Sequence, residues 1–419
     1  MRILMLAQFY PPIVGGEERH VRNLAQSLVA RGHDVAVATL TDDLNTSESS
    51  DGPVRVFRAR GLMQRASWLF TDDNRRHATP FPDPELTMRL HGIVREFRPD
   101  IVHAHNWIVH SYLPVKMTAD VGLVLTLHDF SMICPKKTLM QGDTMCTGPA
   151  IAKCLGCAGA HYGKVKGAVT LFGHRLSSAI ESGLVDRVVT VSRAVADGNR
   201  LTGRTLHHVI PNFIPDVFPA EDGHEARLAE LPSEPYILFV GDLRRMKGLH
   251  ATLEAYGQLR GAPPLVLIGR QCPDTPAALP QGVTALRNWP HGAVMHAWRR
   301  SLFGLVPSIW PDPCPTVALE AMASGKAVIG TKAGGIPDMI EDWRTGHLVA
   351  PGDTDALARA MQALIDDPAS TIAMGARGRA KAKDFMAGSV VPRLEALYRD
   401  VRETRLLHRS KKTKWRLAG

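Results

Sequence analysis

Short apolar runs alternate with helix-period segments along the whole chain, and that alternation predicts a parallel α/β architecture. In the first half, residues 3–7, 34–39, 54–58, 101–104, 123–127 and 188–192 read as strands. Between the first two, Val21, Leu24, Ala25, Leu28 and Val29 recur at helical spacing, and Gly32 stops the helix. A second series opens with strands at 236–240, 265–268, 303–306 and 327–329. Each series starts as strand, glycine-containing loop and helix, the doubly wound arrangement whose ligands sit beyond the carboxyl ends of the strands. The Pro-, Glu- and Ala-rich stretch 215–235 reads as a linker. The expected division is therefore a first Rossmann-like domain (1–214, with a cysteine-rich insertion at 130–165) and a second (236–387). A final helical pattern with a basic tail follows (388–419), carrying Val391, Leu394, Leu397 and Tyr398. Residues 62–84 are poorly patterned and are expected to form a mobile loop.

The length of 419 residues suits two domains. Apolar content of 45% and charged content of 22% are ordinary for a globular protein. The opening apolar run is broken by Pro11, Pro12, Gly15, Gly16, Glu17 and Glu18, so a secretory signal is not expected. No segment reaches the roughly 20 apolar residues of a membrane span. The expected location is the cytosol, at or near the inner face of the membrane. Of the net charge of +9, the stretch from Val401 onward supplies +6: Arg402, Arg405, Arg409, Lys411, Lys412, Lys414 and Arg416 against Glu403. That tail, with Trp415, suits contact with anionic lipid at about 1 kcal/mol per basic residue; a solvated, frayed end explains it equally well. No recognised nucleic-acid module accompanies the charge.

The densest chemistry lies at 306–337. Asp312 and Glu320 are separated by seven residues, with a helix start at Pro315-Thr316 between them. Proline suits the first helical turn, and the free amides of that turn, through Val317, favour an anion. Glu320 lies one turn on from Thr316, on the same face. Such a corner suits a nucleotide sugar, with the diphosphate on the amides and the hydroxyls on the acids. This stretch resembles the family 4 retaining glycosyltransferases of the GT-B fold, whose signature is Glu-x7-Glu, with Asp312 here in place of the first Glu. The run 1–33, His128-Asp129, Pro211-Asn212, the loop Gly241 to Gly248 and Gly334-Gly335 fall in the family's order.

The resemblance implies two Rossmann-like domains facing each other across a cleft, and metal-independent transfer from a nucleoside-diphosphate sugar to a hydroxyl with retention. It places Gly15 and Gly16 near the donor phosphate and assigns His128, at the end of a strand, to the transferred sugar. His103 and His105 are weaker acceptor-side candidates. In the loop after residue 240, Lys247 matches the family's lysine, whereas Asp242 replaces its arginine; Arg244 or Arg245 is expected to substitute. Cations there would stabilise the leaving diphosphate. Asp312 would contact sugar hydroxyls and Glu320 the ribose. The sequence Asp353-Thr354-Asp355 is explained as a helix cap and not as a metal site. A nucleotide-sugar epimerase on the same fold and a catalytically silent partner subunit are the rival readings. A glycan or lipid-linked acceptor of bacterial surface polysaccharide or glycolipid synthesis is expected from the family and the basic tail.

Four of six cysteines, Cys134, Cys146, Cys154 and Cys157, form C-x11-C-x7-C-x2-C. The last step suits tetrahedral zinc, and a structural zinc is the first expectation. Reduced thiols come next, then an iron–sulfur cluster or disulfides, the latter disfavoured in a reducing cytosol.

Overall fold

The computed structural model describes all residues except 14, 42, 44–46, 67–74, 143, 219–223 and 418–419, and the side chains of 408–417. Parts of the expected mobile loop and linker, and the side chains of most of the basic tail, therefore lie outside the described residues. The chain divides into two compact units: Met1–Gln141 with Cys146–Ile210 and Val390–Gly419, and Pro211–Ser389 with Gly142–Met145.

The first unit is built on strands β1 (Arg2–Ala7), β2 (Asp34–Leu40), β3 (Ser47–Asp51), β4 (Val54–Ala59), β5 (Ile101–His105), β6 (Gly122–Leu127), β9 (Arg187–Thr190) and β10 (His207–Val209). Two short strands, β7 (Met140–Gln141) and β8 (Thr144–Met145), form a separate ribbon. The main sheet runs β10-β9-β6-β5-β1-β2-β4-β3, parallel except at β3. Strands β1, β5 and β6 are almost wholly buried, as expected where helices cover both faces. Strand β3 is an exposed antiparallel edge without apolar residues, so period-2 reasoning misses it.

The second unit carries β11 (Ile237–Val240), β12 (Leu265–Ile268), β13 (Val283–Leu286), β14 (Gly304–Val306), β15 (Val328–Thr331) and β16 (Gly346–Val349), all parallel in the order β13-β12-β11-β14-β15-β16. In chain order this reads 3-2-1-4-5-6, whose direction switches between β11 and β14. Phe239, Leu267, Leu305 and Ile329 pack with Leu357 and Met361 of the helix Thr354–Asp366 in its core. Asp353 caps that helix by accepting from the Ala356 amide.

The final helix spans Ala387–Leu417, and its residues from Val390 belong to the first unit. Glu395 accepts from Arg31 Nε at 2.8 Å and pairs with His33 at 2.7 Å. Arg405 bridges Asp186 and Asp120, and Val401 packs where a side chain on Gly122 would sit. The chain's last apolar pattern is thus buried against the opening half of the sequence.

Candidate active site

In the second unit the loops that leave β11 and β14 sit at the switch point. Glycine is required twice in this frame. Gly248 has φ +83, and a Cβ there would lie 2.0 Å from the Pro307 carbonyl oxygen. Gly334 has φ +57, and its Cβ would lie 2.1 Å from the Asp312 carbonyl oxygen. Gly335 donates its amide to that same carbonyl at 2.8 Å. The Gly334-Gly335 turn therefore seats the backbone of Asp312.

Asp312 is buried, and its carboxylate accepts from the Lys247 ammonium and from Ser308 Oγ at 3.1 Å. Two groups expected to touch different parts of a donor are thus paired with each other. The Lys247 ammonium lies 5.5 Å from the centroid of the Trp310 ring. Glu320, also buried, meets His291 Nε2 at 2.9 Å. It projects from the helix Thr316–Ala323, for which Pro315 is the N-cap residue. Pro315 gives that helix no side-chain cap, so its first amides remain available to an anion. Cys314, buried beside it, has its thiol pushed up to about 12 by desolvation.

The position at which the resembled family has arginine holds Asp242, and the guanidinium of Arg270 grips that carboxylate through Nε at 3.2 Å and a terminal nitrogen at 2.9 Å. Arg270, from the loop after β12, is thus brought to the place of the missing arginine. Arg244 and Arg245 are exposed, and the Arg245 amide donates to Asp274 at 2.7 Å. Arg270 and His291 escaped sequence reasoning because each comes from a different segment, and Ser308, four residues before Asp312, because a lone serine carries no signal.

In the first unit, His128 follows β6 and its Nε2 lies 2.9 Å from Nδ1 of His105, at the end of β5. His103 meets Thr126 Oγ1 at 2.7 Å and Tyr398 of the final helix at 2.7 Å. The His103 and His105 rings lie 4.3 Å apart, and the His20 ring is 5.1 Å from that of His128. Burial pulls His20 down to about 4 and His103 to about 3, and holds His105 well below the ordinary imidazole range. His20, His103 and His105 are therefore neutral at physiological pH. Beside it, Asn106 donates to Glu17 at 2.5 Å. Desolvation, then Glu18 and Asp129, push the Glu17 carboxyl up to about 8. Gly15 and Gly16 open the helix that carries Glu17 and His20. His105, a weak candidate by sequence, thus contacts His128 directly, and His103 backs His105.

All six cysteines are free thiols. Cys134, Cys146, Cys154 and Cys157 line one cavity of about 20 Å³, together with Lys136, Lys153 and apolar neighbours. Among the described residues, no group of three or more His, Cys, Asp or Glu could hold a metal ion as placed. Cys146 Sγ turns to the Gly148 carbonyl at 3.5 Å and Cys157 Sγ to that of Met140 at 3.9 Å.

Two family models match in succession: Glycosyltransferase Family 4 over residues 14–217 and Glycosyl transferases group 1 over residues 222–381. A glycogen synthase of Mycobacterium tuberculosis is 30% identical over 396 residues, covering 88% of this chain and 87% of its own. An alpha-maltose-1-phosphate synthase of Mycolicibacterium smegmatis is 30% identical over 438 residues, covering 96% and 100%. Among solved structures, sucrose-phosphate synthase of Thermosynechococcus elongatus superposes with a TM-score of 0.74 at 21% identity, covering 96% of this chain and 99% of its own. Anabaena Alr3699/HepE, in complex with UDP and glucose, does so with a TM-score of 0.68 at 18% identity, covering 96% and 100%. These likenesses assign the fold to the GT-B class. With a switch-point acid pair in one Rossmann-like unit and a histidine cluster at the strand ends of the other, the chain belongs to the group 1 glycosyltransferases.

Proposed function

We propose that the protein transfers a hexosyl group from a nucleoside-diphosphate sugar to a saccharide hydroxyl with retention and without a catalytic metal. The observation that carries this reading is the second unit's switch point: uncapped amides at Thr316 and Val317, with Lys247–Asp312 and His291–Glu320 beside them. The amides, Lys247 and Arg270 hold the diphosphate, Glu320 the ribose and Asp312 the sugar hydroxyls, while His128 contacts the transferred sugar. UDP and glucose in the complex of Anabaena Alr3699/HepE support a donor of this class. The bond from the anomeric carbon to the phosphate oxygen breaks as the bond to the acceptor oxygen forms on the same face. The acceptor proton passes to the leaving phosphate, and the cations and helix dipole stabilise its charge.

The relatives' names speak for a glucan or sugar-phosphate acceptor. A surface-polysaccharide or glycolipid acceptor is the second reading, supported by the exposed apolar stripe of the helix Lys164–Leu184. Transfer in the cytosol fits both. We further propose a structural zinc in the four-cysteine cavity. Closing it on one ion requires the thiols of Cys146 and Cys157 to turn from their carbonyls.

The test incubates the pure chain with a panel of UDP-, ADP- and GDP-sugars, with and without saccharide acceptors, in EDTA. Acceptor-dependent release of nucleoside diphosphate, with the product anomer matching the donor by NMR, is expected. Interconversion of nucleotide sugars without an acceptor would instead mark an epimerase. Failure of every donor to bind would mark a silent subunit.

A further inference from the structure

The helix Lys164–Leu184 presents an apolar stripe that nothing among the described residues of the first unit covers. Val165, Val169, Phe172, Leu176 and Ile180 are 80%, 53%, 55%, 66% and 43% exposed. At α-helical geometry, about 100° per residue, these five fall within about 80° of arc along about 22 Å of helix. The opposite face, including Gly167, Leu171, His174 and Glu181, is buried. Gly167 lets the preceding helix Ile151–Tyr162 approach closely, since a Cβ there would meet the Ala158 backbone at 2.6 Å. The inner face is thus consumed by packing, and the stripe is surplus to the fold.

Charge decides what covers it. Lys164 and Arg175 flank the stripe on one side and Lys166 on the other. The helix's single acid, Glu181, is buried and bonded to His110 at 3.0 Å. An exposed apolar stripe between rows of cations is the pattern of a helix lying in a membrane interface. Pairing this helix with its counterpart on a second copy would set these cations against their own kind, with no exposed acid on the helix to offset them. No helix among the described residues is long and apolar enough to cross a membrane, so the contact is with a surface.

We infer that the helix Lys164–Leu184 docks the protein on a bilayer containing anionic lipid, with Val165, Phe172 and Leu176 seated among the acyl chains and Lys164, Lys166 and Arg175 on the headgroups. Docking stands independently of the transfer chemistry. Its corollary, that the acceptor is presented at a membrane, rests on the glycosyltransferase reading.

Co-sedimentation of the full chain with phosphatidylglycerol–phosphatidylcholine vesicles, against pure phosphatidylcholine, tests the docking. Binding to the anionic vesicles is expected, weakening as salt rises. Phe172→Glu with Leu176→Glu should lower it by about tenfold or more, given the apolar area withdrawn from lipid. Met88→Glu, on another exposed helical position, should leave it unchanged. Circular dichroism and nucleotide binding check that each variant is folded. Three results would overturn the inference: no vesicle binding, equal binding by the stripe variant, or binding abolished only by Lys411→Glu with Lys412→Glu in the tail. A concentration-dependent dimer that the stripe variant dissociates would also overturn it, assigning the face to a second copy.

Discussion

A carboxylate buried beside a cationic or hydrogen-bonding partner has few substitutes, so the acid pair is where single changes should be read. Glu320→Gln keeps shape and removes charge. Calorimetry should record donor binding weaker by about 1.5–3 kcal/mol, the worth of one charge-assisted hydrogen bond. Asp312→Asn also deprives Lys247 of its ion pair; turnover should fall more than affinity, and an unchanged kcat would remove Asp312 from the chemistry. Gly334→Ala should act through the backbone, because its φ is left-handed and its Cβ would strike Asp312. A loss of about 1–3 kcal/mol in denaturant unfolding, with reduced turnover, is expected. Asp312, Glu320 and Lys247 were legible in the sequence because each belongs to a short motif tied to one strand end. Arg270 and His291 were not, because a pairing such as Arg270–Asp242 spans two strands and leaves no local spacing.

Elements buried on both faces announce themselves as apolar runs, so β1, β5, β6, β11 and β12 were legible within a residue or two. Strand β3 was not, since Ser47–Asp51 owes its extension to backbone pairing with β4. Strand β16 was missed for the opposite reason: Gly346 is forced by close approach, its Cβ falling 2.0 Å from the Val328 carbonyl, and it reads locally as a breaker. The cysteine segment lies between these cases. Burial raises the Cys134 thiol, partly offset by its backbone surroundings and by the charge of Lys136. The thiolate is the form a metal binds. Lys136 and Lys153 on the same cavity would offset the excess negative charge of four thiolates on Zn²⁺. Metal analysis should therefore find about one zinc per chain, lost in Cys154→Ser and kept in Cys272→Ser. Four freely titrating thiols in metal-free protein would remove the zinc.

At the scale of the whole molecule, the first unit depends on a chain that leaves it and returns. Tyr398, near the end of the sequence, bonds to His103, whose ring lies against His105, which in turn holds His128. Dismantling that run by acid has a definite sign. His20 and His103 titrate near 6.5 when unfolded but at about 4 and about 3 when folded, and His105 is lowered likewise. The unfolded chain therefore binds more protons between those values. The stabilisation is complete above pH about 6.5 and is lost as pH falls, at about 1.4 kcal/mol per pH unit for each imidazole. Glu17 works oppositely: its carboxyl is raised to about 8, so its contribution is full at low pH and is lost as pH rises from about 4.5 to 8. Glu17 and Asp129, whose carboxyl burial also raises, oppose the three imidazoles, and buried His77 and His174 are lowered likewise, so stability should climb from pH 4 to about 6.5. Thermal melts at constant ionic strength should show that slope, flatter in His20→Gln by about one imidazole's share. An identical slope in that variant would mean that His20 is already protonated in the folded cluster, and that the histidines beside His128 do not form the neutral set their burial requires.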